Sequence, residues 1–209
     1  MTTPEQFDPR PRFLMCRPQY FAVTYSINPW MDPAAWSQSG DALHGEALRQ
    51  WEGLLHAVRR SGATVELVEP ENGLPDLVFT ANSAVVLDGK ALLARFRHPQ
   101  RQGEEPVYAA AFNALRSRGL IDEVVTLPPG VTLEGAGDCL WDAHRQLFWM
   151  GCGFRSGVEA REVVAEIVLE RVIVEIQALR RLVAEHFEQA QPHAGLVRRR
   201  IGAVENLVR

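Results

Sequence analysis

The sequence predicts an α/β fold built from repeated units of strand, hairpin and helix. Two hairpin segments, NSAVVLDGKALLARFR and GDCLWDAHRQLFWMGCGFR, match in kind, because each ends in Phe-Arg and is followed by a polar loop and a helical pattern. Two passages from helix to strand, RRSGATVELVEP and RSRGLIDEVVTLPPG, share a glycine, an alternating strand and a proline-marked exit. Repeats of this kind bury their apolar faces on one another, so their equivalent loops are expected to gather on one side.

The first unit precedes these hairpins. Residues 1–12 are predicted to be a disordered lead, and residues 13–16 form a buried strand that a proline ends. Apolar residues at helical spacing predict a helix over residues 45–60, and residues 64–68 alternate as a strand. The loop over residues 19–32 carries too many aromatic side chains for a solvated linker, and we expect it to pack over another part of the molecule.

The second and third units follow in the same order. Asp88-Gly89 is a strong tight-turn signal and is expected to pair residues 85–87 with residues 92–96. The remaining predicted elements are a helix over residues 107–116, a strand over 124–127, a hairpin joining 137–141 to 147–150, and a helix that starts near Val158.

Composition limits the classes of partner. The 209 residues carry a net charge of −4, which gives no general field for attracting nucleic acid or acidic membranes. No uncharged apolar run is long enough to cross a bilayer, so a small molecule or a protein is the expected partner. Three cysteines without CxxC spacing argue against a disulfide framework and a structural zinc site, and a reducing cytoplasm fits them best.

The stretch LEGAGDC places two carboxylates, Glu134 and Asp138, on either side of three small residues. Two acids held on such a bend are costly to bring together unless a cation lies between them, and a planar guanidinium with five donors is a good match. An ordinary polar turn between two strands is the alternative interpretation, and the motif by itself leaves both open.

The sequence resembles the guanidino-modifying (pentein) superfamily, which includes arginine deiminases, amidinotransferases and dimethylarginine dimethylaminohydrolases. The resemblance rests on CRPQYFAVTYSINPW, LPDLVFTANSAVVL, RFRHPQRQGEEP, LEGAGDC and GCGFRS in the family's order, and the dimethylargininase-like branch is nearest. It runs over residues 13–166, which would be about three of the five repeats of the family's α/β propeller.

The resemblance implies a hydrolase of arginine-type guanidino C–N bonds that forms citrulline and needs no cofactor or metal. A cysteine thiolate attacks the guanidino carbon, a histidine shuttles protons, and a covalent intermediate is hydrolysed. Glu134 is implied to be the catalytic acid that pairs with the histidine. The implied substrate-binding residues are Asp76, Asn82, Arg97, Asp138 and Arg155. Of these, Arg97 and Arg155 would bind the substrate's α-carboxylate. The alternatives are that Asp76 caps a turn and that the two arginines are surface residues.

The nucleophilic cysteine and its histidine are not found at matching positions. No cysteine follows Cys152, and Cys139 and Cys152 lie in strand patterns typical of small buried residues. The sequence therefore predicts a chain with little or no activity alone. A non-catalytic guanidinium-binding or protein-interaction module is the alternative.

The segment 167–209 does not match the family's motifs. Apolar residues recur from Val164 to Phe187 at steps of three and four, which predicts one long amphipathic helix. Two accounts stay open, an altered reading frame or truncation and an interaction helix acquired by the protein. With either account, the apolar face of the helix predicts self-association.

Overall fold

The computed structural model describes residues 10–167 and 172–176 and confirms the α/β class. The strands are β1 (Arg12–Cys16), β2 (Thr64–Val68), β3 (Ala84–Leu87), β4 (Lys90–Leu93), β5 (Glu123–Val125), β6 (Cys139–Asp142), β7 (Leu147–Gly151) and β8 (Val172–Ile176). The helices are α1 (Pro33–Arg60), α2 (Pro99–Gln102), α3 (Glu104–Ser117), α4 (Gly135–Asp138) and α5 (Ala160–Ile167).

Three small sheets share one connection pattern. Strands β1 and β2 pair in parallel across α1, with Phe13 opposite Val65. Strands β3 and β4 form an antiparallel hairpin, and β5 returns after α3 to pair in parallel with β4. Strands β6 and β7 form the second hairpin, and β8 lies beside β7. The three longer helices, α1, α3 and α5, therefore each lie between two neighbouring strands of one sheet, as the repeated units predict.

The first hairpin turns where its sequence predicts. Asp88 and Gly89 have positive φ values of 47° and 77°, and Leu87 pairs with Lys90 across them. Two consecutive left-handed residues match the right-handed twist of the flanking strands. The second strand lies at Lys90–Leu93 rather than at the predicted 92–96, because the two-residue turn starts the pairing at Lys90 and regular pairing stops at Leu93.

The N-terminal elements begin earlier than predicted. Strand β1 includes Arg12, which was assigned to the disordered lead, and residues 1–9 lie outside the described residues. Helix α1 begins at Pro33 rather than at residue 45, because Asp32 caps it by accepting a hydrogen bond from Ala35 N at 3.0 Å. The backbone is non-helical at Ser39, so two helical segments meet at a kink.

The prediction of one uninterrupted helix after residue 164 is wrong. Helix α5 ends at Ile167, and residues 172–176 form β8. The sequence VIVEI is rich in β-branched residues, which fit a strand beside β7 better than a helix. The other residues of the predicted helical segment lie outside the described residues. The chain divides into two compact units, Met1–Glu175 and Ile176–Arg209, and the site described below lies in the first.

Two apolar clusters hold the sheets and helices together. In the first, Tyr108 and Phe112 of α3 pack with Leu93 and Phe96. In the second, Phe148 and Met150 of β7 pack with Leu92, Leu133 and Val164. Burial of each large apolar side chain contributes about 1.5–3 kcal/mol, so these clusters fix the loops that carry the polar site. In the part of the chain that the structure describes, no helix is long and apolar enough to span a membrane.

Candidate functional site

Glu134 is fixed by a contact between the second and third units. Its neighbour Leu133 exchanges two backbone hydrogen bonds with Arg95, at 3.0 and 3.1 Å, and Leu133 is fully buried. After Glu134 the chain makes a single helical turn, α4, rather than the open bend that the small residues predict. The Glu134 side chain is 0% exposed. A carboxylate is thus held at a defined position inside the protein.

The small residues of LEGAGDC permit a close approach within the chain. Gly135 has a φ of +53°, and a Cβ at this position would lie 2.7 Å from Ala81 O and from Ala84 N. A Cβ on Gly137 would lie 2.8 Å from Asn82 Nδ2. The two glycines therefore let α4 pack directly on the segment that carries Asn82.

Asp76 and Asn82 lie on two consecutive 3₁₀ turns, Pro75–Val78 and Thr80–Ser83, and both side chains are buried. Asn82 Nδ2 donates to Glu134 Oε2 at 3.0 Å. Asp76 Oδ2 accepts from the hydroxyl of Tyr25 at 2.8 Å. The structure therefore brings together three of the predicted site residues, although 58 sequence positions separate Asp76 from Glu134.

Arg101 joins these side chains, and the sequence prediction omitted it. Its guanidinium donates through Nη1 to Glu134 Oε2 at 3.4 Å and through Nη2 to the backbone oxygen of Asp76 at 3.3 Å. Nε and Nη2 also donate to the two oxygens of Glu104 at 2.8 and 2.6 Å. Arg101 lies within the motif RFRHPQRQGEEP. The available signal for its ion pair with Glu104 was the spacing of three residues between them.

Arg155 and Asp138 form the outer side of the cluster. Arg155 Nη2 donates to Asp138 Oδ1, and Nη1 lies 3.4 Å from Glu134 Oε2. Ser156, also missed from the sequence, donates to Asp138 Oδ2 at 2.7 Å and accepts from Glu134 N at 3.0 Å. Since the Arg155 side chain remains 38% exposed, it is the cationic group of the cluster that solvent reaches most readily.

Arg97 lies apart from this cluster. Its Nη1 donates to the backbone oxygen of Gly153, so it ties the end of the second unit to the loop after β7. Asp76, Asn82, Glu134 and Arg155 line one cavity of about 350 Å³, whereas Arg97 is not among the residues that line it. Two of the predicted residues, Arg97 and Asp138, therefore do not line the cavity, although Asp138 contacts it through Arg155.

The aromatic loop covers this cavity, as the sequence predicts. Phe21 packs edge-on against Trp36 and Phe79, with ring centroids 5.3 and 5.9 Å apart. Several loop residues line the cavity together with the polar cluster: Phe21, Val23, Ile27, Asn28, Trp30 and Met31. The lining thus combines apolar side chains with charged ones, which suits a ligand with an aliphatic stem and a polar head.

The charges of the cluster do not balance. Four carboxylates, those of Asp76, Glu104, Glu134 and Asp138, surround the guanidinium groups of Arg101 and Arg155, which leaves an excess of two negative charges when all are ionised. Burial raises the pKa of Glu134, and Arg101 and Arg155 oppose that rise. Glu134 Oε1 is buried and accepts no hydrogen bond from the described residues. The site is therefore electrostatically suited to a cationic donor.

The described cysteines are not poised for nucleophilic attack. Burial raises the pKa of Cys16 to about 11 and that of Cys139 to about 12, so both are thiols at neutral pH. Cys152 is half-buried and packs beside the second apolar cluster. Within residues 10–167 and 172–176, no group of three or more His, Cys, Asp or Glu side chains is arranged to hold a metal ion.

Known proteins are similar to the chain in sequence, and one solved structure is also similar in fold. The bifunctional arginine dihydrolase/ornithine cyclodeaminase AgrE of Nostoc sp. is 42% identical over 157 residues, 75% of this chain and 21% of the relative. The N(G),N(G)-dimethylarginine dimethylaminohydrolase of Mycobacterium tuberculosis is 38% identical over 167 residues, which are 79% of this chain and 51% of the relative. The substrate-bound N-terminal domain of ArgZ, a cyanobacterial arginine dihydrolase, superposes with a TM-score of 0.65 and 37% identity over 78% of this chain and 56% of that one.

The chain spans about half or less of the length of these relatives. The family model described as N,N dimethylarginine dimethylhydrolase, eukaryotic, matches residues 17–184, which extends past residue 166, where the sequence motifs end. The matched segment contains the buried acids, both hairpins and β8. The chain therefore belongs to the dimethylarginine dimethylaminohydrolase family of guanidino-modifying (pentein) proteins.

Proposed function

We propose that the cavity binds the guanidinium group of an arginine-type ligand. The observation that carries this proposal is the buried acidic pair of Asp76 and Glu134 in a cluster with excess negative charge, where Glu134 Oε1 has no donor among the described residues. A guanidinium supplies planar, charged donors for such oxygens and gains from a site shielded from water. The apolar side chains of the aromatic loop that line the cavity would then contact the ligand's aliphatic stem.

The other predicted residues receive separate roles in this proposal. Asn82 holds Glu134 Oε2, which leaves Oε1 for a ligand or a partner histidine. Arg155 would release Asp138 and bind the ligand's α-carboxylate instead, since the Arg155 side chain is partly exposed. Arg97 would act at a greater distance by holding the loop after β7 in place through Gly153. The assignment to Arg155 follows from the fork of its guanidinium, which can bind both oxygens of a carboxylate.

The reaction class that accompanies this site is hydrolysis of a guanidino C–N bond with formation of citrulline through a covalent cysteine intermediate. Glu134 would orient and stabilise the protonated histidine. We propose that the 209-residue chain alone turns substrate over weakly or not at all, because Cys16 and Cys139 are buried thiols with raised pKa values. The arrangement of the three sheets as blades of a partial propeller is part of the same proposal.

The alternative is a module that binds guanidinium ligands without chemistry or that docks on a protein. The unsatisfied Glu134 Oε1 favours a site completed by another group, which a ligand or a partner chain could supply. Self-association through the segment 167–209 would provide a partner from a second copy. Sedimentation over a wide range of concentrations would test this alternative, and a monodisperse monomer throughout would exclude the self-association.

Calorimetry with L-arginine, combined with a citrulline assay, tests the proposed function. Binding without turnover is expected for the full chain. Glu134→Gln and Asp76→Asn should each weaken binding by about tenfold or more, because each removes a buried negative charge that would face the ligand's guanidinium group. Asp142→Asn is the matched control, since its carboxylate pairs with Arg145 at the turn between β6 and β7. Equal affinity in all three variants would refute the assignment of the site, and citrulline release by a variant lacking all three cysteines would refute the covalent cysteine mechanism.

A further inference from the structure

We propose that the outer edge of β1 is a docking site for an extended strand of a separate polypeptide, which adds to the first sheet in antiparallel orientation. The second and third sheets have the orders β3-β4-β5 and β6-β7-β8, and each begins with an antiparallel hairpin strand. Among the described residues, the first sheet contains β1 and β2 alone. Because β1 and β2 pair in parallel with a helix between them in the chain, as β4 and β5 do, the position without a strand is the one equivalent to β3.

The backbone of β1 presents hydrogen-bonding groups on the side away from β2. Alternate residues of a strand face the same neighbour, and Thr64 N donates to Pro11 O at 2.8 Å, so the odd-numbered residues of β1 face β2. The hydroxyl of Thr80 donates to Leu14 O at 2.7 Å, which confirms that the even-numbered residues face outward. An outward-facing strand edge of this kind is a template for the addition of another strand.

A cavity of about 450 Å³ lies along this edge, and it shares no lining residue with the cavity of the polar cluster. Arg12, Phe13 and Leu14 of β1 line it consecutively, with Thr80 beside them and Val86 of β3 across from β1 in the next sheet. Phe13 is 48% exposed and Val86 is 50% exposed. An apolar strand placed here would remove these side chains from water while its backbone paired with β1.

The charges at the start of β1 favour an acidic partner. Arg12 opens β1 and pairs with Glu66 of β2, just as Lys90 opens β4 and pairs with Glu123 of β5. This match supports the equivalence of β1 with β4. Arg118 also donates to Glu66, at 2.7 Å, so two guanidinium groups share one carboxylate at this end of the edge. A second carboxylate would therefore be attracted there.

The first strands of the two hairpins show which sequence suits such an edge. Strand β3 reads AVVL and is followed by Asp88, whereas β6 reads CLWD and ends at Asp142. In antiparallel pairing, this acidic end lies beside the first residue of the middle strand. A strand of the same kind on β1 would bring its acid to Arg12 and Arg118. The partner strand is therefore a short apolar segment that ends in an acidic residue.

A synthetic peptide with the sequence of residues 82–88, NSAVVLD, is the probe, because it carries this pattern. Fluorescence anisotropy of the labelled peptide, titrated with the full 209-residue chain, should give a Kd of about 10–100 µM. Replacing the final aspartate of the peptide with lysine should weaken binding by about threefold or more, because the charge at the arginine end is reversed. The absence of measurable binding by the original peptide would overturn the inference.

Two N-methylated peptides test whether the peptide pairs as a strand. In the hairpin, Ser83 O accepts from Ala94 N, so Val85 N faces the middle strand and Val86 N faces away. Methylation at Val85 should weaken binding by about tenfold or more, because it removes a donor to β1. Methylation at Val86 should change binding by less than about threefold. Equal losses from the two methylations would contradict strand addition.

Phe13→Asp tests the place of binding and should weaken it by about tenfold or more, because a charge would face the apolar strand. Leu67→Asp is the matched control, since Leu67 lies on β2 of the same sheet, is 50% exposed and does not line the cavity. Unchanged affinity in Phe13→Asp would overturn the inference, and the two methylated peptides still decide if this variant fails to fold. A dimer that Phe13→Asp abolishes and the peptide does not dissociate would assign the edge to a second copy of this chain and would also overturn it.

Discussion

Replacing Gly135 with alanine should destabilise the chain through two additive effects. Its φ of +53° lies in the left-handed region, where a Cβ costs about 1–2 kcal/mol. The new Cβ would also lie 2.7 Å from two backbone atoms, Ala81 O and Ala84 N, which cannot rotate away as a side chain can. Overpacking of this kind costs about 1–3 kcal/mol. The expected loss is therefore about 2–5 kcal/mol, or on the order of 10 °C in Tm for a chain of this length.

Gly130→Ala isolates the first of these effects. Gly130 also has a positive φ, +85°, but no heavy atom of the described chain lies within 4 Å of the position its Cβ would take. Calorimetric melting of both variants should therefore give a smaller loss for Gly130→Ala, about 1–2 kcal/mol. Equal losses in the two variants would refute the claim that Gly135 is required by the close approach of α4 to the Thr80–Ser83 turn.

Three further predictions concern the cluster and its support. Gly137→Ala should weaken arginine binding by about three- to tenfold in calorimetry, because the Cβ would displace Asn82 Nδ2 from Glu134, and an unchanged affinity would contradict this. Tyr108→Phe should cost about 1–2 kcal/mol in urea unfolding, since its hydroxyl donates to Leu77 O at 2.7 Å and the carbonyl would be left buried without it. Because burial raises the folded-state pKa of Glu134 above 4.5, the folded chain retains a proton there that the unfolded chain has lost, so stability should fall as pH rises from 4.5 through the raised pKa. Glu134→Gln should make that fall smaller without removing it, because burial raises the pKa of Glu104 as well.

Local turn chemistry explains why much of the fold could be predicted. Asp88-Gly89 specifies a two-residue turn by its own backbone preferences, and the alternation on either side then determines which residues pair. The start of α1 was missed for a related reason. Its first turns are poor in apolar residues, so periodicity gave no signal there, whereas Asp32 followed by Pro33 was a valid capping pattern that the prediction did not use.

The site shows where sequence reasoning loses information. Asp76 and Glu134 lie in recognisable sequence motifs, so both could be assigned to one site from the sequence. Arg101 was not assigned in the same way, because its contacts with Glu104, Glu134 and the backbone of Asp76 form only when the folded chain brings these segments together. At 172–176, apolar spacing fits a helix, and the pairing of β8 beside β7 is a tertiary effect that overrides this periodicity.

Burying the unbalanced charges of the cluster costs free energy of folding, so a contribution to stability does not explain why the cluster is there. A buried ion pair is often no more stabilising than apolar side chains of the same volume, and here four carboxylates face two guanidinium groups. A cation or a hydrogen-bond donor in the cavity would relieve the remaining repulsion. A ligand that does so stabilises the folded chain by about 2.7 kcal/mol at one hundred times its Kd. L-Arginine should therefore raise the Tm of the unmodified chain by several degrees, and it should raise that of Asp76→Asn much less, because that variant has lost part of the repulsion that the ligand relieves.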